Sequence, residues 1–201
     1  MRPDVMTLLK ERRTMRKFVG RPVDEKDIRT VLEAGTWAPS AHNAQPWRFA
    51  IVRGDGKKRQ MADAMGAKWR EDLVGDGVSP KEIEGMLRDS KDRIMHAPAI
   101  VILLVTMSDM DKYSDERRQE LERVMAIQSA AACAQNILLM AEAIGLGGGW
   151  DCSPLFAPAE VKKTLGLKPD WSPLVMIALG IPGEKPRPPP RKPVEEVSVW
   201  I

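Results

Sequence analysis

Two N-terminal segments hold residue types that suit one chemistry. Arg12-Arg13-Thr14-Met15-Arg16-Lys17-Phe18 puts three arginines and a hydroxyl within five positions. Ala38-Pro39-Ser40-Ala41-His42-Asn43-Ala44-Gln45-Pro46-Trp47-Arg48-Phe49 is a proline-bounded loop of small and amide residues that runs into a strand-like stretch. A guanidinium donates two parallel bonds to a phosphate. Hydroxyl and amide side chains match the donors and acceptors around a heterocyclic ring edge. Together the segments suit a large, polar, phosphorylated cofactor. Taken alone, the arginines read first as solvated charge at a helix C-terminus, where they complement the dipole; the companion loop shifts the reading to a phosphate. The loop alone reads equally as a simple turn. His42 is a candidate general acid, with a structural histidine as the alternative.

Other segments carry less. Gly147-Gly148-Gly149 follows a helix instead of opening one after a strand, so it is not a dinucleotide fingerprint. It reads as a glycine-rich connection after Gly145 caps the helix. Close backbone approach to a flat cofactor is its functional reading. Asp151, Cys152 and Ser153 match no nucleophile motif. Cys133 and Cys152 stand alone, without metal spacing, and fit a reducing compartment. No metal site is expected. Lys68-Trp69-Arg70 offers Trp69 as an aromatic wall for a substrate, with core packing as the alternative. Lys68 and Tyr113 join Trp69 as candidate substrate contacts.

The elements that must position these groups are legible from spacing. Short helices are predicted over 4–13, with Val5, Met6, Leu8 and Leu9 as an apolar face, and from Asp24 to about Gly35. Arg48–Val52 reads as a strand and 57–73 as a helix. Ser79-Pro80-Lys81-Glu82 starts a helix that runs to about Ile94. Ala99–Thr106 reads as a buried strand. A long helix covers roughly 115–144; it is apolar nearly all round beyond Val124 and calls for burial on every face. A short helix over 158–165 and a buried strand over Pro173–Leu179 follow. From Pro182 a proline-rich tail carries Lys185, Arg187, Arg191 and Lys192 and ends in Val197-Ser198-Val199-Trp200-Ile201. Arg187 and Arg191 read as solubilising charge or as a return to the phosphate.

A chain of 201 residues suits one domain or half of an interlocked dimer. A net charge of +3 is too mild for a bulk nucleic-acid binder. No apolar run reads as reaching the roughly 20 residues of a membrane span. Met1-Arg2-Pro3-Asp4 shows no signal-peptide pattern behind it. These readings predict a cytoplasmic protein with no nucleic-acid or membrane partner.

The same segments resemble the FMN-dependent nitroreductase family. The family's R-[RHS]-[ST]-x-[RK]-x-F opening stands as Arg12, Arg13, Thr14, Arg16 and Phe18. Its P-S-x-x-N-x-Q-P-W segment stands as Pro39, Ser40, Asn43, Gln45, Pro46 and Trp47, and its G-L-G-x-x-W segment as Gly145, Leu146, Gly147 and Trp150. The resemblance implies an α+β three-layer sandwich, with a mainly antiparallel sheet flanked by helices, in an intertwined homodimer. It implies one domain over 1–201, with 182–201 packing on the partner subunit. By resemblance, Arg12 and Arg16 hold the FMN phosphate and ribityl side, and Arg13 and Thr14 reach the ring edge. Pro39, Ser40, His42, Asn43 and Gln45 come from the partner subunit. Gly148, Gly149 and Trp150 lie along the flavin, the loop after Trp150 passes the reactive nitrogen, and Arg191 meets the phosphate. Gly148 and Gly149 are small for the family and imply a roomier pocket. The implied activity passes reducing equivalents from NAD(P)H through flavin N5 to a small acceptor, such as a nitroaromatic or quinone, with no protein nucleophile. A non-catalytic flavin-binding module is one alternative. His42, the Tyr113–Arg118 stretch and Leu167–Pro173 resemble the C-terminal FMN domain of deazaflavin-coenzyme γ-glutamyl ligases. They imply a second alternative, reduction of a dehydro precursor of that coenzyme.

Overall fold

A computed structural model describes residues 4–184 and 186–201. Lys185 and the Met1-Arg2-Pro3 start lie outside the described residues. The described elements are helices α1 (Val5–Glu11), α2 (Glu25–Thr36), α3 (Asp55–Gly75), α4 (Pro80–His96), α5 (Glu116–Ala143), α6 (Pro158–Leu165) and α7 (Val194–Val197). The strands are β1 (Trp47–Val52), β2 (Ala99–Val105), β3 (Gly147–Asp151) and β4 (Ser172–Gly180). They pair antiparallel in the order β1-β2-β4-β3. The fold is α+β, as expected.

Strand β2 shows why the sheet is central. Every residue of Ala99–Val105 is buried. Side chains alternate across a strand, so Ala99, Val101, Leu103 and Val105 enter one core with α2 and α5. Ile100, Ile102 and Leu104 enter a second core with α3, α4 and α6. Helices therefore cover both faces, giving the three layers.

Local signals place most ends. The Ser79 hydroxyl accepts from the Glu82 N–H, and the Glu82 carboxylate accepts from the Ser79 N–H, which closes the capping box of α4. Helix α5 ends one residue before the expected cap. Ile144 is the C-cap and Gly145 follows with φ +82°. Leu146 N donates to Ala141 O at 2.8 Å and Gly145 N to Glu142 O at 3.1 Å. That pairing satisfies the last carbonyls and needs the left-handed residue that glycine supplies.

Three expectations change. Gly147–Asp151 is not a connection but the edge strand β3. Glycine is a poor strand former, so local propensity hid it. Its glycines are required by close neighbours: a Cβ on Gly148 would sit 2.5 Å from Leu138 Cδ2, and one on Gly149 would overlap the Met15 carbonyl oxygen. Second, α5 is not buried all round. Glu122, Ala126, Ala130, Cys133, Ala134, Ile137, Leu138 and Ala141 face the core, whereas Leu121, Val124, Gln128 and Ala131 stay exposed at helical spacing. Contrary to expectation, this helix is long and apolar enough by length and composition to cross a membrane, its charges lying in the first turns and at Glu142 near its end. Here it packs as the core helix against α2 and the sheet. Third, α1 buries nothing, and its Val5, Met6 and Leu9 are exposed.

Candidate functional site

Residues 12–19 cross the open edge of the sheet. Arg12 ends α1, and the chain then runs extended beside β3. Thr14 bridges Gly148 in parallel, and Met15 N donates to Gly148 O at 3.0 Å. Phe18 bridges Pro182, and Val19 N donates to Ile181 O at 2.9 Å. Main-chain pairing thus holds Thr14 and Arg16 over the end of β3, where they rim a cleft of about 460 Å³. Ile94, Ile100, Met176 and Ala178 line it with apolar groups, and Gly149, Trp150, Asp151 and Cys152 line it from β3 and the loop that follows.

A second hollow of about 510 Å³ shares Arg93, Ile94, Asp151 and Cys152 with the first, so the two form one cleft. Met65, Trp69, Phe156 and Ala157 make this part apolar. The volume suits a flat ligand of cofactor size. After Trp150 the loop turns sharply: Ser153 N donates to Asp151 Oδ1 at 2.7 Å and Trp150 Nε1 to Cys152 Sγ at 3.0 Å. Ser153 Oγ is buried and has no hydrogen-bond partner among the described residues. None of Arg12, Arg13, Arg16 or Arg93 is ion-paired among the described residues. Arg13 donates to the Arg12 carbonyl at 2.6 Å. The cleft therefore presents cationic forks at one rim and an unsatisfied hydroxyl inside, beside apolar walls. That arrangement fits an anionic ligand with a polar-edged ring.

The loop predicted to share this role sits elsewhere in the chain. Ala41–Asn43 forms a single 3₁₀ turn over α5, tied by Ala41 N donating to Ser129 Oγ at 3.3 Å. Gln45 N donates to Ser40 Oγ at 3.1 Å. His42, Asn43 and Gln45 all have φ between +50° and +55°. Three non-glycine residues in that region mark a loop held by its surroundings, as functional loops often are. His42 Nε2 lies 3.5 Å from Glu122 Oε1 and 3.9 Å from Asp111 Oδ2.

Of the sequence candidates, Thr14, Arg16, Gly149, Trp150 and Trp69 line the cleft. Arg12 and Arg13 lie on the segment after α1 that leads to it, and Gly148 pairs with Thr14. Pro39, Ser40, His42, Asn43 and Gln45 do not line it within one chain. Arg191 is exposed in the tail, donates to the Pro190 carbonyl at 3.2 Å and does not line the cleft. Lys68 pairs with Asp72, and Tyr113 lies under the Arg118 guanidinium, 4.6 Å from its ring centroid. Neither lines the cleft. The roomier pocket expected from Gly148 and Gly149 is not found, because Leu138 and the Met15 backbone occupy the space where side chains would stand. Sequence reading missed Arg93, which no local pattern distinguishes from other helix-surface arginines. It also passed over Ser153, whose signal was its place just after Trp150.

The two thiols differ. Burial pushes the Cys133 thiol up to about 12, whereas Cys152 is half-buried in the cleft wall. At pH 8 a disulfide reagent is expected to label one thiol per native chain, Cys152, and to reach Cys133 only after unfolding. The thiolate of Cys133 is disfavoured in the folded state, so above about pH 9 the unfolded chain loses its proton first and stability falls as pH rises further. Labelling of both cysteines in the native protein at equal rates would contradict this.

Comparison with known proteins agrees with the geometry. The sequence model described as "Nitroreductase family" matches residues 9–181. A Thermus thermophilus protein named NADH dehydrogenase is 29% identical over 223 aligned positions, covering 98% of this chain and 96% of its own. The crystal structure of a BluB-like flavoprotein from Clostridium difficile superposes with a TM-score of 0.83 at 26% identity, over 99% of each chain. A protein from Desulfovibrio desulfuricans, described as a nitroreductase and solved with FMN, gives a TM-score of 0.75 at 25% identity. That match covers 100% of this chain and 98% of the other.

Proposed function

The chain belongs to the nitroreductase family, and from that premise we propose that it is an FMN-dependent oxidoreductase. It passes reducing equivalents from NAD(P)H to a small acceptor, such as a nitroaromatic or a quinone. The observation that carries this reading is the cleft along β3, whose arginines are not ion-paired and whose buried Ser153 hydroxyl has no hydrogen-bond partner among the described residues. Both features match what FMN needs: charge for its phosphate and hydrogen-bond partners for its ring. The names of the similar proteins, an NADH dehydrogenase and a protein solved with FMN, agree with this.

Arg12 and Arg16 bind the phosphate, and Arg13 and Thr14 reach the ring edge. When bound, FMN supplies hydride and electron transfer at its N5. Gly149, Trp150 and Cys152 shape one wall, and Trp69 and Phe156 keep water from the apolar end. Arginine charge held near the ring edge favours electron uptake without further reorganisation. No protein nucleophile takes part.

The functional unit is a homodimer. Exposed Val5, Met6 and Leu9 on α1, Leu121 and Val124 on α5, and Val199, Trp200 and Ile201 in the tail supply apolar surface for a two-fold partner. In that arrangement Pro39, Ser40, His42, Asn43 and Gln45 complete the partner's site, and residues 182–201, with Arg191, pack across the interface. Residues 1–201 form one domain in this reading, acting in the cytoplasm.

The test is the visible spectrum of the purified protein, followed by anaerobic NADH and NADPH. A yellow protein that bleaches at once is expected. A colourless protein that takes up no FMN would overturn the reading. Flavin that stays oxidised would favour the second reading, reduction of a dehydro precursor of a deazaflavin coenzyme. What suggests that alternative is the sequence resemblance at His42, Tyr113–Arg118 and Leu167–Pro173.

A further inference from the structure

We propose that His42, Asp111 and Glu122 form a binding site for one divalent transition-metal ion of the zinc type. None of the three residues lines the cleft of their own chain; in the dimer reading above, His42 also borders the partner's flavin, so the metal titration is done on protein freed of flavin. The three side chains come from three elements: the Ala41–Asn43 turn, the loop between β2 and α5, and α5 itself. One nitrogen and two carboxylate oxygens lie within 4.8 Å of one another. His42 Nε2 is 3.5 Å from Glu122 Oε1 and 3.9 Å from Asp111 Oδ2. Donors around a tetrahedral zinc ion stand about 3.3 Å apart, given bonds of about 2.0–2.1 Å. A small contraction of exposed His42 and Asp111 toward Glu122 is enough to close the site.

Glu122 is the independent sign of a missing charge partner. It is only 1% exposed, yet its Oε2 has no hydrogen-bond partner among the described residues. Burying a carboxylate with an unsatisfied oxygen is costly unless a cation compensates it. Among the described residues, the basic group paired with it is the His42 ring, at a distance long for a hydrogen bond. A divalent ion would satisfy both carboxylates and the imidazole together, and would leave a fourth position for water. Imidazole among the donors selects zinc-like ions over magnesium or calcium, and the Irving–Williams order places manganese weaker. A bound ion would clamp the Pro39–Pro46 loop onto α5.

The test is titration of chelator-treated, full-length protein with Zn²⁺ by calorimetry. One ion per chain is expected, with Mn²⁺ binding more weakly. Asp111→Asn, His42→Ala and Glu122→Gln should each weaken Zn²⁺ binding by at least about 10-fold, a loss that removing even a partner of a ligand produces. Co²⁺ should give visible d–d bands in the wild type that disappear in His42→Ala. Asp111 is exposed, so its variant stays informative if the Glu122 variant does not fold. No saturable binding would overturn the proposal and leave a simple His42 ion pair. Binding of equal strength in all three variants would place the ion elsewhere and overturn it equally.

Discussion

Arg16→Ala is expected to weaken FMN binding by about 10- to 100-fold, the loss typical of a charge-assisted bond to a phosphate. Arg16 is the arginine of the N-terminal cluster that rims the cleft directly, held there by the pairing of Thr14 and Met15 with Gly148. Its side chain is exposed and supports nothing in the core, so the fold should survive its loss. Flavin fluorescence quenching on titration of FMN into apoprotein measures the effect. Arg16→Lys should recover only part of the affinity, because an ammonium cannot present the planar fork. An unchanged dissociation constant in Arg16→Ala would refute the phosphate assignment. Arg191→Ala is the informative companion. In one chain Arg191 does not line the cleft, so a loss as large as that of Arg16→Ala would mean that a partner's tail reaches the phosphate.

Gly149→Ala should destabilise the protein by about 1–3 kcal/mol, as overpacking does. For a chain of this size that corresponds to a fall in Tm of roughly 2–12 °C. The new methyl would overlap the Met15 carbonyl oxygen, and a backbone atom fixed by strand pairing cannot swing aside. The segment that carries Thr14 and Arg16 must then lift off β3, so FMN retention should fall with stability. Gly148→Ala is the contrast. Its methyl meets the end of the Leu138 side chain, which can change rotamer, so the loss should be smaller. Thermal unfolding followed by circular dichroism ranks the two. Equal Tm values for wild type and Gly149→Ala would show that Met15 does not lie as close to β3 as described.

In the sequence alone, the family resemblance implied the layered α+β class, and spacing and capping placed most of the elements. Ser79-Pro80-Lys81-Glu82 specifies its own helix start, because all the capping groups lie within four residues. Gly145 marks the end of α5 for the same reason, and the unbroken apolar run of β2 announces burial on both faces. The chemistry of Arg12, Thr14 and Arg16 was legible from residue type. The tertiary structure decided the rest. β3 looked like a linker because glycine disfavours strands, and the reason for its glycines, the Met15 backbone and Leu138, lies far off in the chain. Arg93 and Ser153 gained their place only when α4 packed beside the loop after β3. No local pattern sets Glu122 apart in the sequence; folding buries it near His42 and Asp111. Periodicity and capping report which faces are buried and where elements end. They hold no information about which distant residues meet, and that pairing is what builds the cleft and the His42 cluster.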